Sequence, residues 1–505
     1  MVMQQKNVLE YIEKTVKEVP DRVAYESFDG EVCSMTFREV YDTARSVGSF
    51  LADNGYYAQP VIIFMKKTPR AIATFFGTVY GGCAYVPIDE EMPRMRIDLI
   101  IGSMKPELII CEEETIELAR EFDYNGRIVR FEDIRSAEVN EDKLANIRSR
   151  QIDTDPIYIV YTSGSTGVPK GIAACHRSVI DYIEHLSDVL EFDGDTRFGN
   201  QSPFYFDACL KELYPTIKFG AYTAIVPKQL FMFPLKLVEF LNEHRVNTVC
   251  WVVSALTMIS ALGALKKEVP HLRLVAFGSE VFPIKQFNRW REALPEARFI
   301  NLYGPTEATG MSCYYIVNRE FTEGDSIPIG RPFDNTDILL LDEDKLAPNG
   351  EVGEICIRGT ALTLGYYNDP VRTAEVFVQN PLNMHYPELI YRTGDLAKYN
   401  EYGELVFVSR KDYQIKHMGH RIELGEIEAN VNSIEGIYLS CAVYNKQKDR
   451  IVLYYTGTIG EAELKDILTE KVPRYMLPAV ITRLTDMPLT PNGKVDRKRL
   501  LEQAD

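Results

Sequence analysis

A glycine-rich stretch at residues 161–171, reading YTSGSTGVPKG, has the groups that phosphate binding requires. Its glycines let backbone amides approach an anion closely, its hydroxyl side chains can donate to phosphate oxygens, and Lys170 adds a mobile positive charge. The stretch follows residues 156–160, a short apolar run rich in β-branched and aromatic residues that predicts a buried strand. The residues therefore predict a phosphate-binding loop at the end of a strand.

The spacing in this loop differs from that of the common P-loop. That pattern, GxxxxGK[ST], places a lysine directly after its second glycine, whereas Lys170 lies three residues after Gly167. A flexible glycine- and serine-rich turn without a ligand is the alternative interpretation of the same residues. The remainder of the chain has to distinguish the two.

Three further stretches contain groups suited to a nucleotide. YGPTE at residues 303–307 combines an aromatic ring, on which a base can stack, with the carboxylate of Glu307, whose oxygens suit Mg²⁺. YRTGD at residues 391–395 ends in Asp395, which can accept from ribose hydroxyls, and LTPNGKVDR at residues 489–497 presents Lys494 after a turn. Taken singly, each stretch is equally compatible with an ordinary turn or a solvated lysine.

Alternating strands and helices must position these groups. Apolar strand patterns occur at residues 60–65, 83–89, 107–111, 127–131, 202–207, 222–226, 248–253, 272–278 and 299–307. Such alternation predicts an α/β fold with largely parallel sheets flanked by helices. Because ligands in these folds bind at the carboxyl ends of the strands, we expect the strand ends to share one crevice with the loop at residues 161–171.

The sequence pattern changes twice toward the C-terminus, and a chain of 505 residues is long enough for more than one domain. From about residue 337, short strands with turn signals predict a β-rich, more antiparallel subdomain. After a charged break, the remaining residues predict a small α+β unit. We therefore expect an N-terminal core of residues 1–409, a hinge at residues 410–412 and a mobile C-terminal lid of residues 413–505.

Composition disfavours several classes of function. The net charge of −17 argues against nucleic acid as a partner, because such binding needs a basic face. Nine scattered cysteines without a CxxC pair predict free thiols in a reducing compartment. The apolar run at residues 246–265 includes polar side chains and predicts a strand followed by a helix, not a membrane span. No signal-peptide pattern precedes it, so a cytoplasmic protein without membrane contact is expected.

Ten stretches resemble, in the same order, the motifs of the adenylate-forming superfamily, and specifically its amino-acid branch: MTFREVYDTA, GGCAYVPID, YTSGSTGVPKG, SPFYFDA, NLYGPTE, GEICIRG, YRTGDL, SRKDYQIKHMGHRIELGEIE, RYMLP and PLTPNGKVDRK. That branch includes nonribosomal peptide synthetase adenylation domains and D-alanine carrier-protein ligases. The resemblance implies an AMP-forming ligase that uses ATP and Mg²⁺. An amino acid would form aminoacyl-AMP with release of pyrophosphate, and then pass to the phosphopantetheine thiol of a carrier protein.

The resemblance also implies roles for individual residues. Lys170 and Lys494 are expected to be catalytic, and Lys494 would bridge the substrate carboxylate and the α-phosphate. Glu307 is the expected metal ligand. The expected ATP-binding residues are Thr162, Ser163, Gly164, Ser165, Thr166, Gly167, Gly278, Asn301, Leu302, Tyr303, Gly304, Pro305, Thr306, Asp395, Phe407, Arg410 and Lys494.

Asp412 matches the hinge aspartate of the superfamily. The resemblance implies that the lid rotates at this residue after adenylation. The rotation would withdraw Lys494 and bring residues 419–428 toward the thiol of the carrier protein.

Asp207 is expected to pair with the α-ammonium group of the substrate, which an acyl- or aryl-CoA ligase, the alternative within the superfamily, does not need. Trp251, Phe277 and Met311 are bulky and predict a short pocket for glycine, alanine or serine. Lys211 leaves another substrate open, an amino acid with a polar or acidic side chain, unless this lysine points outward. The full set of expected pocket residues is Asp207, Ala208, Lys211, Trp251, Val275, Phe277, Leu302, Gly310 and Met311.

The chain ends soon after Lys494, so the resemblance predicts a free-standing enzyme that serves a separate carrier protein. A catalytically inactive nucleotide-binding regulator is the alternative from a different class. The presence of both Glu307 and Lys494 argues against that alternative.

Overall fold

The computed structural model describes residues 5–164, 167–411, 414–489 and 495–504. The α-helices are α1 Leu9–Glu18, α2 Phe37–Asp53, α3 Pro69–Tyr80, α4 Arg94–Met104, α5 Ile116–Ala119, α6 Phe131–Ile134, α7 Glu141–Arg150, α8 His176–Leu190, α9 Leu210–Phe219, α10 Pro234–Glu243, α11 Val253–Ala261, α12 Ile284–Ala293, α13 Pro370–Val376, α14 Leu424–Asn432, α15 Glu461–Lys471 and α16 Arg497–Glu502. Short 3-10 helices lie at Asp207–Cys209, Lys228–Met232, Ala264–Lys266, Thr306–Ala308 and Arg474–Met476.

The strands, again in chain order, are β1 Val23–Ser27, β2 Cys33–Thr36, β3 Pro60–Phe64, β4 Ala84–Ile88, β5 Leu108–Cys111, β6 Arg127–Arg130, β7 Pro156–Thr162, β8 Lys170–Cys175, β9 Arg197–Asn200, β10 Tyr222–Ile225, β11 Thr248–Val252, β12 Leu274–Gly278, β13 Arg298–Tyr303, β14 Cys313–Ile316, β15 Arg331–Pro332, β16 Thr336–Asp342, β17 Lys345–Leu346, β18 Gly353–Gly359, β19 Phe377–Gln379, β20 Leu389–Tyr399, β21 Leu405–Arg410, β22 Gln414–His417, β23 His420–Glu423, β24 Ile437–Asn445, β25 Arg450–Gly457 and β26 Val480–Arg483.

Two mostly parallel sheets form the N-terminal core. The first has the strand order β15-β14-β13-β12-β11-β9-β10-β1-β2, and the second has the order β6-β5-β3-β4-β7-β8. Helices α2, α3, α8 and α9 pack between the two sheets, α10 to α12 cover the outer face of the first, and α4 covers the outer face of the second. The strands of these two sheets are buried on both faces, which explains why they appear in the sequence as continuous apolar runs.

The β-rich subdomain and the C-terminal unit follow this core. Strands β16 to β21 form an antiparallel sheet, as the shorter strand patterns predicted. In the C-terminal unit, β22 and β23 form a hairpin, and β24, β25 and β26 form a small sheet packed against α14 and α15. The fold is therefore the mixed α/β architecture expected from the sequence. Asp412 lies outside the described residues, so the position of the hinge stays a prediction.

The strand predicted at residues 202–207 is wrong. The strand in this region is β9, which ends at Asn200, and a turn follows in which the Phe206 amide donates to the carbonyl oxygen of Pro203. Pro203 has no amide hydrogen and a fixed φ, so it cannot continue the ladder of a central strand. Phe204 of this stretch is buried in the core against Phe75 of α3, whereas Tyr205 and Phe206 are only half-buried.

Two other predictions concern thiols and membranes. All nine cysteines are free, and only Cys33 is more than slightly exposed. The apolar run at residues 246–265 forms β11 and α11, as predicted. Among the described residues, no helix combines the length and the apolar character needed to cross a membrane.

Candidate functional site

The carboxyl ends of the parallel strands meet at one cavity. Its wall comes from the end of β7, from the segments that follow β9, β12 and β13, and from the hairpin β22–β23 of the C-terminal unit. The strand ends thus share one crevice, as the α/β pattern predicted. The residues of this wall that the sequence had singled out are Thr162, Asp207, Ala208, Gly304, Pro305, Thr306, Gly310, Met311, Asp395 and Arg410.

The loop after β7 is held tightly against its own backbone. Ser163 is buried, and a Cβ atom at Gly164 would lie 2.1 Å from the carbonyl oxygen of Val168, so glycine is required there. Ser165 and Thr166 lie outside the described residues. Glycine at this position therefore lets the backbone of the loop approach neighbouring backbone closely.

Lys170, the first residue of β8, has its side chain beside the carboxylate of Glu307. Its Nζ lies 3.4 Å from the Tyr366 hydroxyl and 3.5 Å from Glu307 Oε1. Burial, together with the charge of Arg421, lowers the pKa of Lys170 to about 8, although Glu307 opposes the shift. The protonation of this amine therefore changes within an accessible pH range.

This pKa predicts a pH dependence for nucleotide use. Because the amine loses its proton as the pH rises through about 8, kcat/KM for ATP should fall above that pH, by about tenfold for each pH unit. Lys170→Arg keeps its charge, so its profile should stay flat in the same range. The measurement is kcat/KM for ATP between about pH 7 and 10. Identical profiles for both proteins would contradict a role for this charge.

Glu307 is fully buried at the centre of the site. Its Oε1 accepts from the Tyr366 hydroxyl at 2.8 Å, and Nη1 of Arg421 lies 2.6 Å from its Oε2. Burial alone would raise the pKa of Glu307, but Arg421, Lys170 and the Tyr366 hydroxyl together hold it well below its usual range. The carboxylate is therefore ionised at every pH of interest.

Asp395 and Arg410 meet because they are direct partners in the register of β20 and β21. Nη1 of Arg410 lies 2.5 Å from Asp395 Oδ1, and the Tyr303 hydroxyl donates to Asp395 Oδ2 at 2.5 Å. Both carboxylate oxygens are thus oriented by neighbours, while the side chain still lines the cavity.

Tyr303→Phe tests this orientation. The change removes the hydroxyl that fixes Asp395 and keeps the aromatic ring, so we expect KM for ATP to rise by about tenfold, the effect of one hydrogen bond to a charged group. The kcat value should change little. Tyr399→Phe, a half-buried tyrosine of the same strand as Asp395, is the matched control. An unaltered KM in Tyr303→Phe would contradict the role assigned to the hydroxyl.

Four other residues predicted to contact the nucleotide, Asn301, Gly278, Leu302 and Phe407, do not line the cavity. The Asn301 side chain donates to the carbonyl oxygen of Pro328 at 2.8 Å. Gly278 and Leu302 are register partners in β12 and β13, and a Cβ at Gly278 would lie 2.3 Å from the Leu302 carbonyl oxygen. Phe407 packs half-buried in the cluster of the β-rich subdomain. Their roles stay predictions.

Asp207 lies in the 3-10 turn that precedes α9 and faces the cavity beside Ala208. Within the described residues Asp207 forms no ion pair. Burial raises the pKa of this carboxyl, although Thr306 and the charge of Lys211 partly offset the shift. Its environment therefore disfavours an isolated negative charge and would favour a bound cation.

Gly310 and Met311 form the neighbouring part of the wall. Gly310 has a φ of 94°, and a Cβ there would lie 3.3 Å from the ring of Tyr182. Met311 is buried against the same cluster as Tyr182. The space next to Asp207 is therefore narrow.

Five of the predicted pocket residues do not line the cavity: Lys211, Leu302, Trp251, Val275 and Phe277. Trp251, Val275 and Phe277 pack with α10, α11 and α12 on the outer face of the first sheet. The Trp251 indole donates to the carbonyl oxygen of Gly199 at 2.6 Å. The alternation of side chains along β11 and β12 sends these residues to that face and their sequence neighbours to the other.

Lys211 is buried, with 3% of its surface exposed, so it does not point outward into solvent. It is next to Glu212 in the chain. Burial raises the pKa of Glu212 to about 7, and the charge of Lys211 limits this rise. Glu212 also accepts from the Asn200 side chain at 3.0 Å. The lysine therefore belongs to a buried polar group behind the cavity.

The hairpin β22–β23 contributes site residues that sequence analysis did not assign individually. Its tip, Met418 and Gly419, has positive φ at both residues, as a two-residue hairpin turn requires. A Cβ at Gly419 would lie 2.6 Å from Val252, and its amide donates to Glu280 at 2.9 Å. Lys416 lies 5.6 Å from the Tyr303 ring centroid. The motif SRKDYQIKHMGHRIELGEIE was the sequence signal for this hairpin.

Lys494 and Asp412 were both predicted to be functional. Both lie outside the described residues, and their roles stay predictions. Tyr366, which bonds to Glu307, had no distinguishing sequence signal, because a tyrosine in an apolar context also predicts an ordinary core residue.

Comparison with known proteins adds to this geometry. A family described as AMP-binding enzyme matches residues 12–367. Tyrocidine synthase 1 of Brevibacillus parabrevis is 31% identical over 506 residues, which cover 99% of this chain and 45% of that protein. Zwittermicin A synthase ZmaJ of Bacillus cereus is 32% identical over 512 residues, covering 97% of this chain and 93% of that protein. The chain thus spans less than half the length of tyrocidine synthase 1.

Solved structures match over the same length. Holo-AB3403, a four-domain nonribosomal peptide synthetase bound to AMP and glycine, is 27% identical with a TM-score of 0.70. The match covers 98% of this chain and 36% of that chain. The fold of this chain is therefore shared with part of that protein.

Proposed function

Because the chain belongs to the family of AMP-binding enzymes, we propose that it activates a small α-amino acid as aminoacyl-AMP and transfers it to the phosphopantetheine thiol of a separate carrier protein. One observation carries the proposal. Asp207, a carboxylate without a charged partner among the described residues, faces the same cavity as the Asp395–Arg410 pair. The cavity thus has a place for an ammonium group and a place for a ribose.

We assign the nucleotide to the wall formed by β7, β13 and β20. The adenine would lie along Tyr303, and the Asp395 carboxylate would accept from the ribose hydroxyls. The loop after β7 would bind the β- and γ-phosphates through its amides and hydroxyls, with Lys170 as the cation. Thr306 would donate to the α-phosphate.

Magnesium fits the residues present. Glu307 is an ionised, buried carboxylate that follows the cavity-lining Thr306, and the hydroxyl of the cavity-lining Thr162 is buried without a hydrogen-bond partner among the described residues. Two oxygen atoms of this kind are what Mg²⁺ prefers. When bound, the metal would neutralise charge on the phosphates; Glu307 would hold it.

The proposed first reaction is an in-line displacement. A carboxylate oxygen of the amino acid attacks the α-phosphorus of ATP, the bond from that phosphorus to the bridging oxygen breaks, and pyrophosphate leaves with the electron pair. Asp207 holds the ammonium group, so that the carboxylate is oriented toward the phosphorus. Lys494 and Thr306 would stabilise the negative charge on the α-phosphate, a contribution worth about 10²- to 10³-fold for each donor.

The proposed second reaction uses the C-terminal unit in the arrangement seen here. The hairpin β22–β23 closes the cavity while Gly419 contacts Glu280 and Val252. A thiolate sulfur would attack the carbonyl carbon of the adenylate, the bond from that carbon to the AMP oxygen would break, and AMP would leave. The similarity to AB3403, a four-domain nonribosomal peptide synthetase, supports a carrier protein as the acceptor.

A small side chain is the substrate class we favour. Met311 and the Tyr182 ring beside Gly310 limit the space next to Asp207. AB3403 is bound to AMP and glycine, which agrees with this preference. Lys211 lies behind the cavity beside Glu212, so an acidic side chain would have to displace that interaction.

Amino-acid-dependent exchange of pyrophosphate into ATP tests the proposal. We expect one maximum at a small amino acid among all proteinogenic amino acids, both enantiomers, acetate and benzoate. The preferred enantiomer would separate a D-alanine ligase from a peptide synthetase module. Activity only with acids that lack an amino group, followed by transfer to coenzyme A, would refute the proposal and favour an acyl- or aryl-CoA ligase.

A further inference from the structure

Helix α14 of the C-terminal unit docks directly on the loop after β7. Glu426 is almost fully buried, and its Oε2 accepts from the backbone amide of Gly164 at 2.9 Å. Its other oxygen forms an ion pair with Arg96 of α4, whose side chain is also buried. A carboxylate of the C-terminal unit therefore occupies an amide that the proposed function assigns to phosphate.

Further groups of this loop are bound in the same way. The Ser163 hydroxyl donates to the carbonyl oxygen of Arg421 at 2.8 Å and accepts from the amide of Glu423 at 3.1 Å. A Cβ at Gly167 would lie 3.1 Å from the Cβ of Ala429. The C-terminal unit thus contacts the loop at Ser163, Gly164 and Gly167.

The C-terminal unit also places a positive charge, that of Arg421, beside the proposed metal ligand Glu307. Nη1 of Arg421 lies 2.6 Å from Glu307 Oε2; Glu307 is fully buried and Arg421 is mostly buried. Arg421 belongs to β23, and α14, the helix that carries Glu426, begins three residues later at Leu424. The Arg421 guanidinium therefore contacts Glu307, the residue assigned to Mg²⁺. In the same segment, the Glu426 carboxylate contacts the Gly164 amide, which is assigned to phosphate.

We infer that the C-terminal unit docks by replacing the charges of magnesium pyrophosphate with its own, Arg421 for the cation and Glu426 for the anion, and that Arg96 is the positioning residue that holds Glu426 in this place. The inference rests on the proposed function, because that function assigns the phosphate to the loop after β7 and the metal to Glu307. It adds a role for Arg96, which lies outside the predicted site.

The need for Arg96 follows from burial. Burial raises the pKa of Glu426, and Arg96 is the largest influence that opposes this shift. Without Arg96 the carboxylate would be buried beside a single amide, so it would take up a proton or leave the interface. Either change weakens docking. The first reaction, which needs the loop free for ATP, does not use this ion pair.

Two consequences distinguish this inference from a purely structural role of Arg96. Magnesium pyrophosphate and the docked unit should exclude each other, because they compete for Gly164 and Glu307. Loss of Arg96 should impair thiol transfer and leave adenylate formation intact. A residue that only supports the fold would impair both reactions together.

Hydrogen–deuterium exchange of the full chain measures docking without any turnover. We expect Arg96→Gln to speed exchange, by at least about tenfold, in peptides that span the loop after β7 and helix α14. Magnesium pyrophosphate added to the unaltered protein should do the same. Arg94→Gln is the matched control, because Arg94 lies on the same helix with an exposed side chain.

Activity measurements complete the test. Arg96→Gln should keep pyrophosphate exchange within about twofold and lose at least about tenfold in transfer to pantetheine, the thiol used as a probe. Unchanged deuterium exchange in Arg96→Gln, or no effect of magnesium pyrophosphate, would overturn the inference, as would equal loss of both reactions. Failure of the unaltered protein to exchange pyrophosphate with any amino acid would instead refute the proposed function.

Discussion

Asp207→Ala is expected to abolish amino-acid-dependent pyrophosphate exchange. The substrate ammonium would enter a cavity with no other carboxylate assigned to it, and breaking a buried ion pair by removing one partner costs about 3–5 kcal/mol. The loss in kcat/KM for the amino acid should therefore be about 10²- to 4 × 10³-fold. KM for ATP should stay unchanged, because the nucleotide is assigned to other residues.

The variant should remain folded. Burial raises the pKa of Asp207, which means that its ionised form is less favourable in the folded protein than in the unfolded chain. Removing the carboxyl therefore costs no stability near neutral pH, where an acid with a raised pKa makes an unfavourable contribution to folding. The thermal unfolding midpoint of Asp207→Ala should be no lower than that of the unaltered protein.

Two controls accompany this prediction. Asp195→Ala removes an exposed carboxylate from the loop before β9 and should leave exchange unaltered. A carboxylic acid that lacks the amino group should be an equally poor substrate for Asp207→Ala and for the unaltered protein. Unchanged pyrophosphate exchange in Asp207→Ala would contradict the assignment of Asp207 to the ammonium group.

Glu307→Gln should show a second large effect, of at least about 10²-fold in the rate of exchange. The substitution keeps the size of the side chain and removes the charge, so the proposed metal ligand and the partner of Lys170 are both weakened. The Mg²⁺ concentration needed for half-maximal activity should rise. The pKa of Lys170 should fall further, because one of the charges that raises it is lost.

The same variant should loosen the C-terminal unit. Arg421 would lose its ion pair at Oε2 and remain buried without a charged partner there. Glu404→Gln is the control, since Glu404 forms an ion pair with Arg319 in another part of the protein. Normal exchange and normal Mg²⁺ dependence in Glu307→Gln would exclude Glu307 as the metal ligand.

The positions of most strands follow from the sequence alone. Continuous apolar runs between helical patterns identified β3, β5, β11 and β12 to within two residues at their ends, because strands buried on both faces contain little else. The glycine-rich loop after β7 was recognisable because the phosphate binding proposed for it needs accessible backbone amides. The stretch at residues 202–207 was mistaken for a strand because an apolar run predicts burial equally well in a turn, where Phe204 packs against α3.

The tertiary structure decided which of these residues meet. Asp395 and Arg410 are partners through strand register, and Trp251 lies behind the sheet because of the parity of its position in β11. Lys211 is buried because α9 packs between two sheets, although a lysine on a helix is usually exposed.

The contacts of the C-terminal unit depend on the longest sequence separations. Arg96 pairs with a glutamate 330 residues later in the chain, and Arg421 reaches Glu307 across 114 residues. Composition and periodicity report only on neighbours within a helix or strand, so they identify the charged groups of these pairs but not their partners. The sequence thus determined the elements and the chemical groups of this protein, and only tertiary packing decided which opposite charges face each other in its cavity.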